Sequence, residues 1–183
     1  MEHYFAPASA EALERARAVR LLVLDVDGVL TDGTVYMGHE GELLKAFHIQ
    51  DGKGISMLRE CGIQTAILTA RRSPAIERRA EELRIEHVLQ GRQPKWPALE
   101  ELLGELGLDA REVAYAGDDL VDVPVLRRVG LAAAVANAHP LVRGHSHWQS
   151  ERPGGCGAVR ELCELILSAQ NRLDAILERY ATE

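Results

Sequence analysis

Apolar and polar positions fall in blocks along this chain, with no single period running through it. The apolar run of residues 21–24 (LLVL) leads straight into Asp25, Val26, Asp27 and Gly28. A short uninterrupted apolar run closed by a turn residue reads as a strand buried on both faces, as in a parallel sheet. Similar runs stand at residues 63–68 (IQTAIL), 87–89, 113–116 and 131–135. Helical patterns lie between and around them. One covers residues 9–20, with Ser9 as cap and Glu11 in its first turn. Others run from Asp51 to a stop at Gly62, over residues 73–83 with Pro74 at the first position, and over 95–106. A short helix capped by Asp122, with Pro124 at its start, ends at Gly130, and a last one spans 156–167.

Strands alternating with helices predict an α/β fold, a Rossmann-like parallel sheet with helices on both faces. Right-handed crossovers then bring every strand's carboxyl end to one edge, where such sheets bind ligands. One block interrupts the alternation. Residues 34–48 hold two strand-like runs around GHEG, which predicts a β-hairpin inserted directly after the first strand. His145 and His147 are expected on one side of a further strand, with nothing nearby to complete a zinc set.

Composition narrows the reading. The 183 residues suit one domain, with a core over 21–167 and a C-terminal segment from 150 to 183. Aromatic content of 4% and a net charge of −7 argue against nucleic-acid binding, which draws on stacking side chains and excess Lys and Arg. No charged head with an apolar stretch opens the chain, and no run is long enough to span a bilayer. Three cysteines without CxxC spacing read as reduced thiols. The expected location is the cytoplasm, away from membranes.

Polar residues collect at the predicted edge: Asp25 and Asp27 after the first strand, Thr69 after the second, Asp118 and Asp119 after the fourth, and Lys95 opening a helix. Each alone has a plain structural use, in a turn, a cap or a solvated face. Together they suit phosphoryl transfer through an aspartyl-phosphate. Asp25 would attack phosphorus, while Asp27 would protonate the leaving alcohol and then activate water. Two aspartates at one buried edge need a cation, and Mg²⁺ takes one or two carboxylates plus other oxygens. Asp25, Asp118 and the carbonyl of Asp27 are the candidate ligands. Thr69 and Lys95 would hold the phosphoryl oxygens, with Asp119 and Asp122 behind the metal ligands.

The stretches DVDGVLTDG, LTAR, Lys95 and GDDLVD resemble the four motifs of the haloacid dehalogenase superfamily. YMGHEGELLKAFHIQDGKGI, VANAHPLV and GGCGAVRELCELIL are similar, within it, to a capless group of sugar-acid-phosphate phosphatases. That resemblance implies Mg²⁺-dependent hydrolysis of 3-deoxy-D-manno-octulosonate 8-phosphate in lipopolysaccharide precursor synthesis. It implies a homotetramer built through the hairpin, and a glycine-rich lid at Gly154, Gly155 and Gly157 that can close over a neighbour's site. It also implies substrate contacts at His48, Asp51, Gly52, Arg71 and Arg79, beside Asp27 and Lys95. Between Arg71 and Lys95 the chain carries seven cations against four acids, inside an acidic protein. An Arg at position 71 suits the substrate's carboxylate, whereas relatives acting on nine-carbon acids tend to carry an acidic residue there. One departure is Ala70, where the family commonly has glycine. Three other readings stay open at this point: a phosphatase for a nine-carbon, sialic-acid-like substrate, a non-catalytic oligomerisation module of the same fold, and a phospho-receiver domain.

Overall fold

The structure, a computed structural model, describes residues 4–39 and 41–182. Glu40 in the predicted GHEG turn, Glu183 at the end of the tail and the first three residues lie outside it. The strand β1 (Leu21–Leu24) is the axis of the molecule. Its four side chains are fully buried, each stabilising the fold by about 1.5–3 kcal/mol. β4 (Gln64–Thr69) and β6 (Val113–Gly117) flank it in parallel. β5 (His87–Gln90) extends the sheet beyond β4, and β7 (Leu131–Ala134) and β8 (Trp148–Gln149) beyond β6, giving the order β5-β4-β1-β6-β7-β8. The chain therefore leaves β1 toward one side of the sheet and later returns to its other side. β1 stands at the point of reversal, where open parallel sheets present their ligand crevice.

The helices follow their local signals. In α1 (Ala10–Arg17) the Ser9 hydroxyl oxygen accepts from the N–H of Ala12 at 3.1 Å. In α3 (Pro74–Leu83) Ser73 does the same for Ala75, with Pro74 opening the helix. α2 (Ile49–Glu60) begins two residues before the predicted Asp51, with His48 at its cap position. α4 (Lys95–Leu106) starts on Lys95 itself. α7 (Ala158–Ala169) packs against both α1 and α2, and α4 packs on α5 (Val123–Leu126), so the helices flank the sheet in two groups.

Four features differ from the sequence expectations. Asp122 does not cap α5. Asp119 caps a single 3₁₀ turn (Leu120–Asp122) that leads into it, and the Asp122 side chain turns inward. α6 (Pro140–Gly144) was not foreseen, and β8 lies just beyond the strand expected at residues 145–147; at five and two residues both are too short to show a period. His145 ends α6 and His147 precedes β8, so no strand carries the pair. The tail is a helix, α8 (Leu173–Thr182), tied to α2 by Arg179 and Glu60 at 2.5 Å.

β2 (Tyr36–Gly38) and β3 (Gly41–Leu44) form the antiparallel hairpin. No cap domain is inserted among the described residues. Its exposure pattern is inverted relative to a soluble monomer: Leu43 is 70% exposed, Met37 and Leu44 are also open, and Glu42 and Lys45 point inward.

Candidate functional site

The apolar run of β1 ends at Asp25, whose N–H donates to the carbonyl of Ala116 at 3.1 Å and so continues the register with β6. Parallel pairing carries Asp25 and the end of β6 to the same edge. Asp118 then lies over Gly28, whose φ of +96° and missing side chain make the approach possible. A Cβ at Gly28 would come within 2.1 Å of Asp118 Oδ2. Asp25, Asp118 and Asp122 each offer an oxygen within 4.8 Å of the others.

Lys95 organises this cluster. Its side chain is 1% exposed, and its ammonium lies 2.9 Å from Asp25 Oδ1 and 2.6 Å from Asp122 Oδ1. It also donates to the Tyr115 hydroxyl at 3.2 Å, which in turn donates to Asp122 Oδ1 at 2.6 Å. Asp122 Oδ2 accepts from the N–H groups of Asp118 at 3.0 Å and Asp119 at 3.2 Å. Both Asp122 oxygens are thus committed to protein donors, so it fixes Lys95 and the loop, and it is poorly placed to give an oxygen away. Asp118 Oδ1, by contrast, is buried without a partner.

Electrostatics follow from this crowding. Burial, then repulsion from Asp122, raises the Asp25 pKa from 3.8 to about 7, against the pull of Lys95. Burial and the neighbouring Asp25, Asp122 and Asp119 do the same for Asp118, also to about 7. Burial disfavours the Lys95 charge, but Asp25 and Asp122 outweigh it and hold its pKa above the ordinary value. Three carboxylates against one ammonium leave two formal negative charges, which one divalent cation balances. All the donors are hard oxygens, as Mg²⁺ requires. The unpartnered Asp118 Oδ1 gives the fit its direct support.

This sets a pH dependence. The folded, metal-free chain keeps protons on Asp25 and Asp118 that an unfolded chain releases above about pH 4. Stability from these groups therefore falls as pH rises from about 4 to about 7. With a chelator present, the melting temperature relative to Asp118→Asn should drop between about pH 5 and pH 8, and added Mg²⁺ should recover more at the higher pH. A difference between the two proteins that stays flat with pH would contradict the charge assignment.

The remaining expected site residues form two further groups. Thr69 ends β4, is 1% exposed, and its oxygen accepts from the N–H of Arg71 at 3.2 Å, leaving the hydroxyl hydrogen for a ligand. Arg71 reaches Glu42 at 2.8 Å and lies 3.8 Å from Asp27 Oδ2. Lys45 donates to Asp27 Oδ1 and is 3.1 Å from Glu42. The third group is apart from the carboxylate cluster. Arg79 lies over the Phe47 ring and donates to the carbonyl of His48 at 3.5 Å, and Gly52 makes room for its guanidinium. Asp51, an expected substrate contact, has its Oδ2 buried without a partner. It is 1% exposed, and its Oδ1 accepts from the N–H of Arg160 at 2.8 Å, securing the start of α7. The glycine-rich segment is likewise engaged within its own chain: Gly155 donates to the carbonyl of Val29 at 2.9 Å and Gly154 to Asn137 at 3.0 Å.

Sequence reasoning missed Lys45, Glu42 and Tyr115. Glu42 and Lys45 belong to a hairpin whose partners lie far along the chain, and Tyr115 reads as one more apolar strand residue.

Comparison with known proteins gives a consistent result. Residues 85–154 match the model of the haloacid dehalogenase-like hydrolases. The chain is 48% identical over 170 residues to the 3-deoxy-D-manno-octulosonate 8-phosphate phosphatase of Yersinia pestis, covering 93% of this chain and 91% of that protein. The crystal structure of a phosphatase of that name from Yersinia pestis superposes with a TM-score of 0.92 at 47% identity, covering 95% of this chain and 94% of the other. The Moraxella catarrhalis phosphatase, solved with magnesium, phosphate and the eight-carbon sugar acid, gives a TM-score of 0.91 at 42% identity, with 93% and 98% covered.

Proposed function

Because the chain belongs to the 3-deoxy-D-manno-octulosonate 8-phosphate phosphatases, a family of haloacid dehalogenase-like hydrolases, we propose that the cluster at the ends of β1 and β6 is its active centre. The protein is a phosphomonoesterase that hydrolyses 3-deoxy-D-manno-octulosonate 8-phosphate to the free sugar acid and phosphate, in lipopolysaccharide precursor synthesis. Its cofactor is Mg²⁺. Asp25, Asp118 and the Asp27 carbonyl would hold the ion, which supplies charge neutralisation between the carboxylates and the phosphoryl oxygens.

The residues divide the reaction. Asp25 forms a bond from a carboxylate oxygen to phosphorus as the bond to the sugar oxygen breaks, and Asp27 gives that oxygen its proton. Asp27 then takes a proton from water as the water attacks phosphorus, and the Asp25 carboxylate is released. Thr69 and Lys95 donate to the phosphoryl oxygens, where negative charge is concentrated. Arg71 is 44% exposed in its side chain and retains donors for the substrate carboxylate. His48, Gly52 and Arg79 would line the outer part of the pocket.

The observation carrying this assignment is the Lys95 ammonium held between Asp25 and Asp122 beside the unpartnered Asp118 oxygen. The test is phosphate release from a panel of sugar phosphates, with Mg²⁺ and with a chelator. Release should be fastest on the eight-carbon substrate and should stop with the chelator. Equal rates on nine-carbon acid phosphates, or chelator-resistant turnover, would contradict the reading.

We also infer a homotetramer assembled through the hairpin, a reading supported by the exposure of Tyr36, Met37, Leu43 and Leu44 on β2 and β3. Leu43→Glu should shift sedimentation to a smaller species, and an unchanged species would count against it. A cytoplasmic location accords with three free thiols and with the absence, among described residues, of a helix long and apolar enough to cross a membrane.

A further inference from the structure

The hairpin does more than expose apolar surface. Lys45 follows β3, and its side chain is 2% exposed although Met37, Leu43 and Leu44 of the same hairpin are open to solvent. An ammonium so enclosed is tolerable only with charged partners. It has two: Asp27 Oδ1, to which it donates, and Glu42 Oε2 at 3.1 Å. Glu42 is fixed in turn. The Ser73 hydroxyl donates to its Oε1 at 2.7 Å, and Arg71 binds its Oε2 at 2.8 Å. Despite the cost of burial, these donors and the Lys45 charge hold the Glu42 pKa below the ordinary value, so it is a carboxylate. Two cations and two carboxylates thus alternate as Asp27, Lys45, Glu42 and Arg71.

The arrangement treats the two oxygens of Asp27 differently. Oδ1 is bound by Lys45, whereas Oδ2 is buried without a hydrogen-bond partner. A carboxyl serving as proton donor and acceptor needs one oxygen anchored and the other presented to the reacting oxygen. We propose that Lys45 is a positioning residue for Asp27: the hairpin supplies an ammonium that anchors Oδ1 and so aims Oδ2 at the leaving-group oxygen, with Glu42 holding Lys45 in place. The inference rests on Asp27 acting as the proton donor, and it makes the hairpin part of the catalytic apparatus. Lys45 touches no reacting atom. Its effect is through the direction of its neighbour.

A positioning role for the proton donor has a signature that a merely structural role lacks. A sugar alkoxide leaves poorly and depends on protonation, whereas p-nitrophenolate leaves without it. Lys45→Met and Lys45→Gln should lower kcat on the sugar phosphate by about 100-fold with KM changed less than about threefold. Single-turnover release of p-nitrophenol from p-nitrophenyl phosphate should fall at least about tenfold less than that. Lys45→Arg should recover part of kcat. Equal losses on both substrates, no loss on either, or a loss confined to KM would overturn the proposal. Where one variant fails to fold, as read by circular dichroism, the other two carry the comparison. Wild-type enzyme inactive on the sugar phosphate but active on the aryl ester would instead refute the substrate assignment, and the p-nitrophenyl comparison with other alkyl phosphates would still decide the role of Lys45.

Discussion

Asp25→Asn should lower phosphate release by at least about a thousandfold while leaving the fold intact. The amide keeps the shape of the carboxyl and can still accept from Lys95, which lies 2.9 Å away, but it is a far weaker nucleophile. The variant also removes one of three crowded carboxylates. The metal-free variant should therefore melt at or above the wild type at about pH 8, where the wild type carries ionised, mutually repelling carboxylates at Asp25 and Asp118. Lost activity with unchanged or increased stability separates a chemical role from a structural one. Activity within about tenfold of wild type would remove Asp25 from the reaction.

Asp122→Ala should have the opposite profile, with stability failing first. Asp122 is fully buried and anchors Lys95, the Tyr115 hydroxyl and the N–H groups of Asp118 and Asp119. Breaking a buried, hydrogen-bonded ion pair by removing one partner costs about 3–5 kcal/mol. Four donors lose an acceptor at once, and Lys95 keeps only Asp25 as a carboxylate partner. Urea unfolding should show that loss, and activity in the folded fraction should fall by about 100-fold as Lys95 loses its aim. A loss under about 1 kcal/mol would show that Asp122 does not anchor the cluster.

The contrast between these two residues shows what could be read in the chain and what could not. Asp25 is legible because its cause is local: the buried strand of residues 21–24 forces whatever follows it to the sheet edge. Thr69 and Asp118 follow from the same logic, since β4 and β6 flank β1 in parallel and each runs through a short apolar stretch toward the same edge. Lys95 is legible as a helix start. Asp122 was legible as a residue behind the metal ligands, but its hold on Lys95 was not, because an aspartate before a Pro-containing turn has a strong local use as a cap. Asp119 takes that use, and tertiary attraction to Lys95 draws Asp122 inward. Gly117 allows this, since a Cβ there would come within 2.6 Å of the Asp122 side chain.

The hairpin was legible as a hairpin but not as part of the site. Alternation along a strand tells which residues share a face, but it does not tell whether the polar face looks outward. Here the polar residues Glu42 and Lys45 look inward and Leu43 and Leu44 outward. Short elements such as β8 and α6 carry too few positions for any periodicity. Their placement depends on contacts with residues far away in the chain, as when the Trp148 indole N–H donates to the carbonyl of Ala6 at 3.2 Å.

The central claim is that Asp25 becomes transiently phosphorylated, and it can be read directly. Enzyme quenched during turnover of the sugar phosphate and reduced with borohydride should yield homoserine in the peptide containing position 25, identified by mass spectrometry. Asp25→Asn treated in the same way should yield none. Reduction at another aspartate, or no reduced residue from an enzyme that is turning over, would contradict the account.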